Sequence, residues 1–315
     1  MTAPRSGALI WMNGQVIPWE TATVHVMTHA LHYGSSVFEG IRCYDTAHGP
    51  ALFRGGAHIR RLRDSARMYR MEVPFTDYDL LHACKRIVRE QGLTTAYVRP
   101  LVWRGVGAGP SALRLNASQH PVETMVAAFP WGAYLGEDGL THGINVGVSS
   151  WQRLAPNTLP SLAKAGGNYL SGQLIAMEAE RHGYVEGLAL DTCGLVSEGS
   201  GENLFLIRDG VLVTPPASSS LLPGITRDTI VTIARDLGYT VREQPIPREA
   251  LYCADELFLT GTAVEVTPVR SVDGIEVRGD CPGPITTDLQ RGYFAAVRGE
   301  RQARTEWLDY VTDPG

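Results

Sequence analysis

Residues 155–170 read APNTLPSLAKAGGNYL, and the lysine at 164 stands in a run of small residues with no acidic side chain close by in the chain. The sequence carries 28 basic residues, of which Lys85 and Lys164 alone are lysines. Arginine stays protonated at any physiological pH, whereas a desolvated lysine can lose its proton and act as a nucleophile or base. Lys164 has two readings, a chemical group or a solvated surface charge. The second suits Lys85 in HACKRIVRE.

The rest of the composition limits what such a lysine could serve. A chain of 315 residues with 44% hydrophobic and 19% charged residues is long enough for two domains and too apolar for disorder. A formal charge of -5 argues against a general binder of nucleic acid or anionic membrane. The apolar runs are of strand length, so no membrane span is expected, and MTAPRSGALIWMNGQ lacks the apolar centre of a signal peptide. Five scattered cysteines with no CxxC pair suit reduced thiols and a cytoplasmic location, and they argue against a disulfide framework or a structural zinc site. No HExxH or phosphate-loop pattern occurs, so no metal is expected.

ALIWMNGQVIPW reads as a hairpin turning at Asn13-Gly14. GAHIRRLRDSARMYRM and DYDLLHACKRIVREQG read as amphipathic helices, the second opened by Asp77 and closed by Gly92. TAYVRPLVW and ETMVAAFPW read as strands joined by a long Gly/Ser/Pro-rich loop, GVGAGPSALRLNASQHP. Further strands follow from about residue 140, with a hairpin turn at Asp209-Gly210, a helix near 168–182 and another from LPGITRD towards Gly238. The expected fold class is α+β: a small N-terminal domain over 1–130, a linker over 131–139, and a large C-terminal domain over 140–315 that carries Lys164.

Three more segments have chemical readings. LPGITRDT places Pro223-Gly224 before a helix start, where free N–H groups and the helix dipole suit a phosphate; simple helix capping by Thr226 is the alternative. SEGSGENLFLI puts Glu198 and Glu202 in a loop, either as solvated turn residues or as a carboxylate for a ring nitrogen. In LTGTAVEVTPV, the small residues Gly261, Thr262 and Ala263 would let a backbone approach a ligand closely, or would simply form a tight turn. A lysine, a phosphate cup and a carboxylate are what an enzyme of pyridoxal 5'-phosphate requires.

The stretches HALHYGSSVFEGIRCY, AYVRPL, FPWGAYLG, APNTLPSLAKAGGNYL, SEGSGENLF, LPGITRD and GTAVEVTPVRSVDG, in collinear order from about residue 9 to 310, closely resemble the bacterial branched-chain amino acid aminotransferases. These are enzymes of pyridoxal phosphate fold type IV, the fold shared with D-amino acid aminotransferases. The resemblance implies a cofactor at the domain interface, bound covalently by Lys164. It implies that Glu198 pairs with the pyridine nitrogen, Tyr169 with the 3′ oxygen, and that Leu222 packs on the ring. Arg61, Ile225, Thr226 and Thr262 would hold the phosphate.

For the substrate, the resemblance implies apolar walls from Phe38, Tyr97, Trp131 and Tyr134. The α-carboxylate would lie at Thr262, Ala263 and Tyr97, and the distal carboxylate of glutamate at Arg99 and Tyr33. The expected reaction passes the amino group of L-leucine, L-isoleucine or L-valine reversibly to 2-oxoglutarate by a ping-pong route. Its partners are small amino and 2-oxo acids, and its assembly at least a homodimer, with a hexamer of three dimers as the larger form. D-amino acid or (R)-amine transamination and aminodeoxychorismate lysis are the alternatives on the same fold. The loop near 104–121 departs from the pattern, which leaves the substrate range open.

Overall fold

The computed structural model describes residues 8–109, 112–132 and 136–312. They form two compact units. The first comprises the described residues of Met1–Gly132, Ala163–Gly167 and Ala296–Gly315, and the second those of Ala133–Leu162 and Asn168–Ala295.

In the first unit the strands are β1 (Leu9–Met12), β2 (Gln15–Pro18), β3 (Ser36–Phe38), β4 (Ile41–Tyr44), β5 (Ala51–Phe53), β6 (Ala96–Arg104) and β7 (Val122–Phe129). With the C-terminal strand Leu308–Tyr310 they make an antiparallel sheet in the order Leu308–Tyr310, β5, β4, β6, β7, β1, β2, with β3 also on β6. Asn13 and Gly14 both take positive φ, 48° and 92°, as a two-residue hairpin turn that follows the strand twist requires. Helices α1 (His29–Tyr33), α2 (Gly55–Met68) and α3 (Asp77–Glu90) complete the unit. Helix α3 is capped by Thr76, one residue before the expected opening, because its hydroxyl accepts from the Asp79 N–H while the Asp79 carboxylate accepts from the Thr76 N–H.

The period-two alternation of strands sorts this sheet into two faces. Val37, Ile41, Cys43, Val98, Val102 and Val126 pack with Ile59 and Leu62 of α2 and Leu80 and Ile87 of α3 in one core. Phe38, Arg42, Tyr44, Tyr97 and Arg99 alternate with these and so belong to the opposite face.

The second unit contains α4 (Gly136–His142), β8 (Ile144–Val148), α5 (Tyr169–Arg181), β9 (Glu186–Leu190), β10 (Val196–Gly199), β11 (Asn203–Arg208) and β12 (Val211–Thr214). It continues with α6 (Ile225–Asp236), β13 (Val241–Glu243), β14 (Glu256–Gly261), β15 (Glu265–Val272), β16 (Ile275–Glu276) and α7 (Pro284–Val297). The sheet order is β10, β9, β8, β15, β14, β11, β12, β13, with β16 on β15. It is mixed, being parallel at β8–β9, β8–β15 and β12–β13. Leu188, Leu204, Leu257 and Leu259 lie in its core.

Two details differ from the sequence expectation. Part of the expected linker is helix α4, while 133–135 lie outside the described residues. The units are also not divided by a single cut. Ala163–Gly167 lies with the first unit because Val37 and Ala165 pair as a short antiparallel bridge, and because Ala163 and Ala165 are buried in the first unit's core. Lys164 is accordingly part of the first unit rather than of a domain that begins at 140. Among the described residues, no helix is long and apolar enough to cross a membrane.

Candidate active site

The main chain of Lys164 is held from two sides. Its N–H donates to Ser65 Oγ of α2 at 3.0 Å, and its carbonyl accepts from the Phe38 N–H of β3 at 3.0 Å. The half-buried side chain then brings Nζ to 4.9 Å from the centre of the Phe38 ring. The small neighbours have a packing cause. A Cβ on Gly166 would come 2.5 Å from Ser36 Oγ, and Gly167 Cα would be 3.3 Å from a Cβ on Gly34. Close backbone approach to β3 and α1 accounts for these glycines without invoking a flat ligand.

The same ring carries a second cation. The Arg99 guanidinium carbon lies 4.6 Å from the Phe38 ring centre and 5.2 Å from that of Tyr97, and Arg99 Nη2 donates to the Tyr97 hydroxyl at 3.2 Å. Arg99 Nε is buried without a hydrogen-bond partner. Trp131 tilts against Tyr97 at 4.7 Å between ring centres. Tyr97 itself depends on Gly40, since a Cβ there would fall 1.8 Å from the Tyr97 hydroxyl oxygen.

Beside this cluster, on the first unit, is an ion network that the sequence reading missed. Glu39 is fully buried and accepts from Arg61 Nε at 2.6 Å, from Arg61 Nη2 at 2.9 Å, and from His58 Nδ1–H at 2.7 Å. Burial alone would raise the Glu39 carboxyl, but Arg61 and His58 outweigh it and hold it well below the usual carboxylate range. Burial, the largest influence, lowers His58 and keeps it neutral; Glu39 opposes, while Arg61 and Lys164 add to the lowering. The readable signal was an acidic residue inside an apolar strand run, with His58 and Arg61 one helical turn apart.

The Tyr33 hydroxyl donates to the Leu113 carbonyl at 3.0 Å. The segment around Leu113 is tied down further. Arg104 Nη1 donates to Ala117 O at 2.6 Å, and His29 Nε2–H to Arg114 O at 3.2 Å. A Cβ on Gly107 would come 2.6 Å from His120 Nε2, so that glycine serves packing. Tyr134 lies outside the described residues. An apolar pocket of about 270 Å³ on this unit, lined by Ile10, Leu31, Leu101, Trp103 and Met125 among others, contains none of the expected site residues.

The second unit carries the remaining candidates. Glu198, nearly fully buried on β10, accepts from Arg153 Nη2 on Oε1 at 2.6 Å. Its Oε2 accepts from the Leu222 N–H at 3.1 Å and Asn203 Nδ2 at 3.2 Å. Asn203 also donates to the Leu222 carbonyl at 3.0 Å, so one amide fixes both the carboxylate and the turn before α6. Gly224 is the N-cap of α6 and brings no capping side chain, and a Cβ there would fall 2.0 Å from Asn203 Oδ1. Thr226 is buried inside the first turn instead of capping it. Thr262 and Ala263 form the half-buried turn between β14 and β15, and Tyr169 opens α5 half-buried. Arg153 and Asn203 were not foreseen: an isolated arginine in WQRLAP carries no sequence signal.

These donors suit a pyridoxal phosphate. The first unit has a primary amine and a guanidinium aligned by a carboxylate. The second has a buried carboxylate with a charged partner and a helix start without a capping side chain next to a buried threonine. Among the described residues, no cluster of three or more His, Cys, Asp or Glu side chains could hold a metal ion.

Residues 36–272 match the sequence profile of the family described as amino-transferase class IV. The chain is 56% identical over 304 residues to the branched-chain-amino-acid aminotransferase of Salmonella typhimurium, covering 96% of this chain and 97% of that one. The crystal structure of the Escherichia coli branched-chain amino acid aminotransferase superposes with a TM-score of 0.93 at 54% identity, over 97% of this chain and all of the other. The crystal structure of the branched-chain amino acid aminotransferase from Thermobaculum terrenum, in its PLP-form (holo-form), gives a TM-score of 0.89 at 35% identity, over 98% of this chain and 99% of that one.

Proposed function

We propose, on the premise that this chain belongs to the class IV aminotransferases, that it is a branched-chain amino acid aminotransferase. It passes the amino group of L-leucine, L-isoleucine or L-valine to 2-oxoglutarate, giving the branched 2-oxo acid and L-glutamate, reversibly. The fold is α+β, fold type IV, and the cofactor is pyridoxal 5'-phosphate. The observation that carries the reading is Lys164, whose main chain is fixed on both sides so that the amine has a set origin.

When bound, the cofactor withdraws electrons from the substrate Cα and makes its proton acidic. Lys164 anchors it, and Nζ takes the Cα proton or returns it in the reverse direction. Glu198 accepts the pyridine N–H and keeps the ring protonated. Tyr169 hydrogen-bonds the 3′ oxygen and Leu222 packs on the ring. Arg61, aligned by Glu39, supplies charge at the phosphate, together with the Ile225 and Thr226 amides and the Thr262 hydroxyl.

Phe38, Tyr97 and Trp131 bound the branched side chain. Thr262, Ala263 and Tyr97 bind the α-carboxylate. Arg99 and Tyr33 take the distal carboxylate of 2-oxoglutarate; the buried Arg99 Nε without a partner supports that role. The assembly is at least a homodimer and the location cytoplasmic, a reading that five free cysteines support.

The test is donor choice. The purified holoenzyme is given 2-oxoglutarate with L-leucine, D-alanine or (R)-1-phenylethylamine, and glutamate formation is measured. L-leucine should serve best; a preference for either other donor overturns the substrate assignment.

A further inference from the structure

Glu198 is held by groups of unlike kind, and the difference between them has a chemical consequence. Leu222 N–H and Asn203 Nδ2 are neutral donors to Oε2; Arg153 Nη2 is a charged donor to Oε1. The neutral pair fixes where the carboxyl group points but does little to choose between its acid and its anion. Burial to 5% exposure drives a carboxyl group toward the acid, and a guanidinium bonded to it opposes that drive. The anion accepts the N–H of a pyridinium and stabilises its positive charge far better than the neutral acid does.

We propose that Arg153 is a positioning residue for amino transfer, holding Glu198 as the anion with Oε2 turned toward Leu222 and Asn203. This rests on the reading of Glu198 as the partner of the pyridine nitrogen.

Arg153 is placed for that work by its own main chain, whose N–H donates to Leu190 O at the end of β9, next to β10. Its side chain is 9% exposed, and its Nε is buried with no hydrogen-bond partner. Such an ion pair is a poor means of stabilising a fold, because desolvation offsets much of its attraction. Holding the charge state of Glu198 gives the arginine a role that fold stability alone does not.

Two other acids lie in this region, Glu186 and Glu202, which bond to each other; burial pushes the Glu186 carboxyl up. Glu202 accepts from the Gly201 N–H, Glu186 from the Gly187 N–H, and Arg227 of α6 binds Thr214, Pro215 and Glu243.

The test compares the wild-type holoenzyme with Arg153→Met and Arg153→Lys. It follows the pH profile of kcat/KM for L-leucine and the pH titration of the bound cofactor's visible absorption. Arg153→Met should move the acid limb upward by roughly 1–3 pH units, the range a neighbouring arginine exerts on a carboxylate. Arg153→Lys keeps the charge and should leave that limb near its wild-type position. A Met variant whose limb and spectral titration match the wild type overturns the proposal, as does a uniform loss of rate at every pH. Should the Met variant fail to fold, the Lys variant decides, and an upward-shifted limb there overturns it. A wild-type enzyme that transfers nothing from L-leucine instead refutes the function, whatever Arg153 does.

Discussion

The buried carboxylate of Glu39 grips the Arg61 guanidinium at two points, 2.6 Å to Nε and 2.9 Å to Nη2, while Arg61 itself is 14% exposed. Replacing Glu39 by a neutral residue takes from Arg61 the buried carboxylate that grips it at two points. Glu39→Gln should therefore destabilise the fold by about 3–5 kcal/mol. Denaturant unfolding monitored by circular dichroism checks this, and a loss below about 1 kcal/mol would show that water reaches Arg61 freely.

The same network sets an acid sensitivity. His58 is held neutral by burial, so the unfolded chain binds its proton more readily, and lowering pH through about 6.5 favours unfolding. The Glu39 contribution is present above the unfolded carboxyl value of about 4.3 and is lost as pH falls further toward its lower folded value. His58→Asn removes the first of these titrations while an amide N–H can still face Glu39. The thermal midpoint of that variant should fall less steeply than the wild type's from pH 7.5 to about 5.5, and parallel slopes would contradict the assignment.

Arg99 is proposed to bind the distal carboxylate of 2-oxoglutarate and no part of leucine's side chain. Loss of a charged hydrogen bond costs about 1.5–3 kcal/mol, or roughly 10- to 150-fold. Arg99→Met should raise KM for 2-oxoglutarate by that factor and change KM for L-leucine by far less. An equal rise for both would mean that Arg99 shapes the pocket generally.

Gly40 leaves the space that the Tyr97 hydroxyl occupies, 1.8 Å from where a Cβ would be. Gly40→Ala should displace Tyr97, break its contact with Arg99, and lower stability by about 1–3 kcal/mol. Steady-state kinetics should show KM raised for both substrates; unchanged values would mean that β4 shifts to absorb the methyl group.

Gly224→Ala places a Cβ 2.0 Å from Asn203 Oδ1, the side chain that holds both Glu198 and the turn before α6. The variant should release pyridoxal 5'-phosphate more readily. Equilibrium dialysis against the cofactor measures this, and wild-type retention would remove Asn203 from the account.

Local features were legible in the sequence where local chemistry decides them. Asn13-Gly14 and Asp209-Gly210 announced turns whose positive φ angles few other pairs adopt easily. Lys164 was legible from composition, and Glu198 from the motif around it. The return of Ala163–Gly167 to the first unit was not legible, because a bridge between Val37 and Ala165 depends on residues 128 positions apart. Arg153 and Asn203 were likewise invisible, since no periodicity marks the contact of Arg153 with Glu198 or the two contacts of Asn203, with Glu198 and the Leu222 carbonyl. Helix α7 did carry a signal: Leu289, Tyr293, Ala296 and Val297 are buried at helical spacing.

The central claim is that the amine of Lys164 drives branched-chain amino transfer. Its most direct test is the rate of glutamate formation from L-leucine and 2-oxoglutarate by wild type and by Lys164→Ala, each supplied with pyridoxal 5'-phosphate. The hydrogen bonds that fix this segment use the Lys164 main chain, so the variant should fold. The wild type should turn over steadily, and the variant no faster than the enzyme-free rate. A Lys164→Ala protein that still turns over at a rate near the wild type's would contradict it.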